Sequence, residues 1–211
     1  MTGATHKKFA VAAAFTASAV LYKNGLTEVN YYLTIPILLA SAKYGALFPD
    51  IDHTWQNVKE KTIPNRIING LIHITGGKHR SWQTHSIDIA IIFSLMAWFI
   101  PDMLMNKELI STVNYEVVRL LLYGFMFGWI SHLISDMLTS AGVRVLCFSK
   151  IKLALVPKHI GKLRFNTGNE WEQFVYRVVS IINVIYGLII LVYPIITDQD
   201  IQNLVHKIIG G

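Results

Sequence analysis

Five long runs of apolar residues constrain the fold of this chain more than any other sequence feature. They cover residues 9–22, 31–48, 87–105, 117–138 and 175–196. A helix needs roughly 20 apolar residues to cross the hydrocarbon layer of a bilayer. The runs do not alternate as barrel strands do, so they predict helices. Only 15% of the 211 residues are charged, against roughly 25% in soluble domains. We therefore predict a single all-α domain, residues 1–211, that forms an integral membrane bundle of four to five transmembrane helices. The number depends on whether the short first run crosses completely.

The distribution of Lys and Arg predicts the orientation of these helices. Two long polar segments, 49–86 and 139–174, hold most of the basic residues outside the apolar runs, and Lys7 and Lys8 precede the first run. With five crossings and a cytoplasmic N-terminus, all these charges lie on the cytoplasmic side, as the positive-inside rule requires. No nucleic-acid-binding motif accompanies them, so we expect membrane lipid and no nucleic acid as a partner.

The same orientation gathers His and Asp residues at the cytoplasmic ends of the predicted helices. Cys147 is the single cysteine, so a metal would be bound by His, Asp and Glu. Imidazoles and carboxylates suit zinc, manganese or iron(II). The candidate metal ligands are His6, Asp50, Asp52, His53, His79, His85, His132 and Asp136, and Glu172 lies before the last run.

His132 and Asp136 are four residues apart and therefore share one helix face. That face continues through Gly124, Gly128 and Ser135, and such small residues let neighbouring helices approach closely. The alternative interpretation is a packing stripe with one satisfied His–Asp pair. Asp50 or Asp52 could instead cap a turn.

Arg80 and Ser86 flank the start of the third run. Arg80 could hold a phosphate with two hydrogen bonds, or could serve as a charge toward lipid headgroups. Ser86 is predicted to cap the helix, with Asp88 in its first turn. We therefore consider Arg80 a candidate catalytic residue, and we assign no chemistry to Ser86 or Asp88.

Three sequence stretches resemble one bacterial family. They are the stretch from Phe48 to His53, the stretch from His79 to Ser86, and the stretch from Gly128 to Val143. The chain resembles the YdjM-like (DUF457) family of LexA-regulated bacterial inner membrane proteins, whose members are classed as metal-dependent hydrolases. The resemblance extends from the N-terminus to Phe174 and includes an N-terminal His at His6. It implies an inner-membrane location and a metal-dependent hydrolase.

Three functions agree with these residues. In the first, two or more divalent ions, zinc or manganese, activate water to hydrolyse a phosphoester or lipid-linked substrate. Arg80 would then stabilise charge on the substrate, and Glu172 would act as a ligand, as a partner of a ligand or as a base. In the second, the metal is structural or regulatory and the protein is not an enzyme. The third, transport, is the least favoured because transport sites usually lie near the middle of the bilayer.

Overall fold

The structure is a computed structural model, and it describes residues 1–27, 29–52, 63–78, 80–156 and 168–197. These residues form six α-helices, one short 3₁₀ helix and a two-stranded antiparallel hairpin. The helices are α1 (Gly3–Lys23), α2 (Tyr31–Gly45), α3 (Ile63–Ile74), α4 (Ile87–Asn106), α5 (Thr112–Met137) and α6 (Glu170–Thr197), the 3₁₀ helix is Pro49–Asp52, and the strands are β1 (Val143–Arg144) and β2 (Lys152–Leu153).

All five apolar runs form helices, as predicted. Three helices in the described part of the chain are long and apolar enough to cross a membrane: Ile87–Asn106, Thr112–Met137 and Glu170–Tyr193. Helix α2 has 15 residues, which is shorter than the roughly 20 that span the hydrocarbon layer. The outer faces of α4 and α6 are strongly exposed and apolar, as Phe99 and Val184 show. A surface of this kind is favourable in lipid and unfavourable in water.

Helices α1, α2 and α5 form the centre of the bundle. Ala10, Ala14 and Ala17 of α1 pack against Leu38 of α2 and Leu120 of α5, all almost completely buried. Helix α4 packs on α5, and α6 packs on α1. The small alanines keep the helix axes close, which positions the ends of α1, α2 and α5 beside one another.

The predicted stripe of small residues on α5 is confirmed as a packing surface. A Cβ atom added to Gly128 would overlap the backbone of Ala42, and one added to Gly45 would overlap the backbone of Phe125. Gly124 approaches the backbone of Leu38 in the same way. Glycine is required here because the backbones of α2 and α5 touch.

The polar segment 49–86 contains a helix that the sequence reading missed. Helix α3 carries exposed apolar side chains at Ile63, Ile67, Leu71 and Ile74. Ser86 is the N-cap residue of α4 and Asp88 lies in its first turn, as predicted, but the Ser86 hydroxyl donates to the carbonyl of Trp82 and makes no cap hydrogen bond.

Candidate metal centre

His132 and Asp136 lie in the last two turns of α5 and are almost completely buried. Their spacing of four residues places both on the face that contacts α1 and α2, as predicted. The Nε2 atom of His132 lies 3.7 Å from Oδ2 of Asp136. Ionisable groups buried at the end of an apolar helix are unfavourable unless they have partners or bind an ion.

Two further imidazoles face this pair. His6, in the first turn of α1, stacks on His132 with ring centroids 3.7 Å apart. His85, just before α4, has its Nε2 atom 3.3 Å from Nε2 of His132. Burial, and then the neighbouring His132, lowers the pKa of the His6 imidazole well below its ordinary value. His6 is therefore neutral near pH 7 and able to act as a ligand.

Each of the three imidazoles is oriented by a hydrogen bond at its Nδ1 atom. Nδ1 of His132 lies 2.7 Å from the carbonyl of Ala46, which can only accept. Nδ1 of His85 lies 3.1 Å from Oδ2 of Asp52. Nδ1 of His6 lies 2.6 Å from the hydroxyl of Ser135, whose own proton is donated to the carbonyl of His132. These partners place a proton on Nδ1 of each ring, so Nε2 is the nitrogen that is left to bind an ion.

The unprotonated Nε2 atoms point toward carboxylate oxygens. Nε2 of His85 lies 3.8 Å from Oδ2 of Asp136, and Nε2 of His132 lies 3.9 Å from Oδ1 of Asp50. Nε2 of His6 lies 3.6 Å from the other Asp136 oxygen. Two overlapping groups could therefore hold a metal ion: His6 with His132 and Asp136, and Asp50 with His85 and His132.

The geometry fits a divalent ion by two observations. The buried Oδ2 atom of Asp136 has no hydrogen-bond partner among the described residues, although a buried carboxylate oxygen normally has one. Two nitrogens that bind one zinc ion tetrahedrally at about 2.0–2.1 Å lie about 3.3–3.4 Å apart. The Nε2 atoms of His85 and His132 have this separation.

His132 belongs to both candidate ligand groups, and this limits how the two groups can be occupied. Its Nδ1 atom already donates to Ala46. A single Nε2 lone pair binds one ion, so His132 can complete only one of the two groups at a time. The number of ions stays a prediction.

Asp52 lies behind His85 and is completely buried. Its Oδ2 atom accepts hydrogen bonds from the backbone amide of Ser81 and the hydroxyl of Thr84, in addition to the His85 imidazole. A carboxylate in this place orients the imidazole and raises its basicity as a ligand. Asp52 therefore supports a ligand, while Asp50, which is partly exposed, faces His132 directly.

Arg80 contacts the metal centre through Asp136. Its Nη2 atom lies 3.2 Å from Oδ1 of Asp136, and the amino group of Met1 lies 3.3 Å from the same oxygen. Arg80 has a φ of 59°, in the left-handed region that few non-glycine residues adopt. The contacts with Asp136 and Thr139 hold the guanidinium beside the site, where the sequence predicted a group that binds substrate.

Glu172 is buried at the start of α6 and accepts hydrogen bonds from α1. One oxygen lies 2.8 Å from the hydroxyls of Thr2 and Thr5, and the other accepts from the amide of Gly168. Thr5 precedes His6, so Glu172 fixes the turn that presents this imidazole. Of its three predicted roles, the geometry favours that of a partner.

His6, Asp50, Asp52, His85, His132 and Asp136 thus meet at one end of the bundle. His53 and His79 lie outside the described residues. Sequence reasoning missed the orienting groups Thr84, Ser135 and the Ala46 carbonyl. Two sequence features could have indicated these groups: Ser135 lies on the polar stripe of α5, and Thr84 directly precedes His85.

Comparison with known proteins identifies relatives along most of the chain. A family model described as "YdjM inner membrane protein" matches residues 1–196. "Uncharacterized protein YvsG" of Bacillus subtilis (strain 168) is 31% identical over 177 residues, which cover 83% of this chain and 87% of the relative. "Inner membrane protein YdjM" of Escherichia coli (strain K12) is 28% identical over 183 residues, which cover 83% of this chain and 77% of the relative. No solved structure matches the chain.

Proposed function

The chain belongs to the YdjM inner membrane protein family, and from the geometry of its His and Asp cluster we propose that it is a metal-dependent hydrolase that acts at the cytoplasmic face of the inner membrane. The proposed substrate is a phosphoester or a lipid-linked compound. The protein would cross the membrane four to five times, with segments 49–86 and 139–174 in the cytoplasm. The basic residues of those segments support this orientation.

The observation that carries the proposal is the unpartnered Oδ2 atom of Asp136 opposite two Nε2 lone pairs. A divalent ion at this place would lower the pKa of a bound water and supply hydroxide near neutral pH. His85 and His132 would hold the ion, and Asp52 and the Ala46 carbonyl would keep their Nε2 atoms directed inward. Arg80 would contribute positive charge beside the site.

Access to the centre is possible on the side of Asp50. The Asp50 side chain is 31% exposed, whereas those of His132, Asp136 and His85 are 0%, 1% and 3% exposed. A substrate group would therefore approach past Asp50. Zinc or manganese suits this set of nitrogen and oxygen ligands.

The same burial favours a second candidate, in which the metal is structural or regulatory. A closed site surrounded by protein ligands leaves no position for water. The metal would then only join α1, α4 and α5. The two candidates differ in one property, the presence of an exchangeable water on the ion.

Metal content tests both candidates, and hydrolysis separates them. We expect purified wild-type protein to contain a divalent metal by elemental analysis and His132→Ala to contain none. The matched control is His73→Ala, since His73 is exposed on α3 and bonds the Gly77 carbonyl. The His73 variant should keep its metal.

Hydrolysis is then measured with metal-loaded protein on phosphomonoesters, phosphodiesters and lipid-linked phosphates. Turnover that is lost in His132→Ala and kept in His73→Ala supports the hydrolase. Metal binding with no turnover on any substrate class supports the structural or regulatory role. Equal metal content in wild type and His132→Ala would contradict both.

A further inference from the structure

An apolar cleft lies between α3 and α4, beside the metal centre. Its volume is about 260 Å³. Ile68 and Ile72 of α3 form one wall, and Ile89 and Phe93 of α4 form the other. Trp129 of α5 lies at the back and is completely buried.

The inner end of the cleft reaches the ligand network. Thr84 lines the cleft, and its hydroxyl donates to the Asp52 oxygen that also accepts from His85. The indole of Trp129 donates to the Thr84 carbonyl at 2.9 Å. A molecule in the cleft would therefore contact Thr84, the residue that precedes His85.

The outer end of the cleft opens on the lipid-facing surface. Trp82 and Phe93 both line the cleft and are 41% and 42% exposed. Phe93 belongs to α4, whose outer face is apolar along a candidate membrane span. The mouth is thus continuous with the surface that lipid covers.

Helix α3 buries two asparagines and exposes several isoleucines, unlike an amphipathic helix of a soluble protein. Its polar residues Asn65 and Asn69 are buried, and their side chains bond Tyr44 and the Ile51 carbonyl. Its apolar residues Ile67 and Ile74 are 59% and 83% exposed. A soluble helix buries its apolar face, so α3 is suited to lie against acyl chains at the membrane interface.

We propose that this cleft holds one acyl chain of a membrane phospholipid, with the phosphate of that lipid directed to the metal centre. The inference rests on the proposed function and narrows its substrate class to lipid phosphoesters. The cleft is smaller than the roughly 300–1,000 Å³ of sites that enclose a whole ligand. It therefore suits part of a chain whose remainder stays in the bilayer.

Photocrosslinking tests the proposal on the full chain. The probe is phosphatidylglycerol with a diazirine within one acyl chain, in vesicles of phosphatidylethanolamine and phosphatidylglycerol. We expect adducts on Ile72, which lines the cleft and is only 7% exposed, so that lipid outside the cleft hardly reaches it. Adducts confined to outward residues such as Ile67 would overturn the proposal.

A matched pair of variants adds a second measurement. Ile68→Trp fills the cleft, and Ile67→Trp places the same side chain on the exposed face of α3. We expect at least about a tenfold loss of Ile72 adducts in the first variant, because the indole occupies the space of the acyl chain, and no loss in the second. Equal labelling of the two variants would contradict the proposal.

Metal content of the wild type separates this inference from the proposed function. Metal with no cleft adducts removes the acyl-chain site and leaves the metal-dependent function intact. Cleft adducts without metal remove the proposed function and support the acyl-chain site.

Discussion

Each end of α5 buries one carboxylate, Glu116 near the start and Asp136 near the end. Among the described residues, hydrogen bonds reach both oxygens of Glu116 but only one oxygen of Asp136. Near the start of α5, Glu116 is bound by Arg119 at 3.1 Å and by the Thr27 hydroxyl at 3.3 Å. Arg119 also bonds Tyr115. This end is complete without an ion, because an arginine neutralises the buried charge.

The other end of α5 differs in what faces its carboxylate. Among the described residues, the amino group of Met1 and the guanidinium of Arg80 contact only Oδ1 of Asp136, and its Oδ2 atom faces the imidazoles of His85 and His132. The comparison shows that burial of polar groups does not by itself indicate a metal. The distinguishing features are an unpartnered oxygen and lone pairs that point to one place.

The largest effect on zinc affinity is expected for Asp136→Asn, and Glu116→Gln is its matched control. Asp136→Asn should weaken zinc binding by more than about 100-fold, since even a partner behind a ligand typically contributes 10–100-fold. Glu116→Gln should leave zinc binding unchanged and lower only the stability of the fold. Zinc affinity would be measured by competition with a chromophoric chelator in micelles.

Equal zinc affinity in Asp136→Asn and Glu116→Gln would contradict the proposed difference between the two ends of α5. It would mean that Asp136 forms an ordinary buried ion pair, as Glu116 does.

An intermediate effect on zinc affinity is expected when Asp52, the carboxylate bonded to His85, is changed. Asp52→Asn removes the charge that orients the imidazole and should weaken zinc binding by about 10–100-fold. The control is Asp102→Asn at the opposite end, where Asp102 accepts from the Tyr115 hydroxyl at 2.6 Å. Wild-type affinity in Asp52→Asn, measured by the same competition, would exclude an orienting role.

The smallest effect concerns the contact that sets the distance between α2 and α5. Gly128→Ala forces the backbones apart and should lower the free energy of unfolding by about 1–3 kcal/mol. It should also weaken zinc binding, because His132 moves away from the Ala46 carbonyl. The Glu116–Arg119 pair lies within one helix and should be unaffected.

Gly70→Ala provides the control with the same substitution. A Cβ atom at Gly70 meets nothing within 4 Å, so alanine should raise stability by about 0.5–1 kcal/mol. Thermal unfolding in micelles compares the two variants. A Gly128 variant as stable as the Gly70 variant would show that the helices are not in backbone contact.

The helices were predictable because their signal is local. Apolar runs of helical length identified α1, α2, α4, α5 and α6, and the spacing of His132 and Asp136 placed them on one face. Helix α3 was missed because it is short and lies in a segment rich in polar residues, and its apolar face is directed outward.

Residue types predicted that His6, His85, His132 and the aspartates lie together, but they did not predict the separate roles. Asp50 and Asp52 are indistinguishable in sequence, and only the position of His85 makes one of them a partner of an imidazole. Glu172 offered the same chemistry as the aspartates until its oxygens were found bonded to Thr2 and Thr5. Such roles depend on contacts between residues far apart in the chain.

The sequence alone determined a helical membrane protein with candidate metal ligands at its helix ends, because hydropathy and helical periodicity are properties of neighbouring residues. The tertiary structure decided which nitrogen of each imidazole faces the centre and which Asp136 oxygen lacks a hydrogen-bond partner among the described residues. It did so because the Ala46 carbonyl and the His132 ring, 86 residues apart, meet only when α2 and α5 pack backbone to backbone.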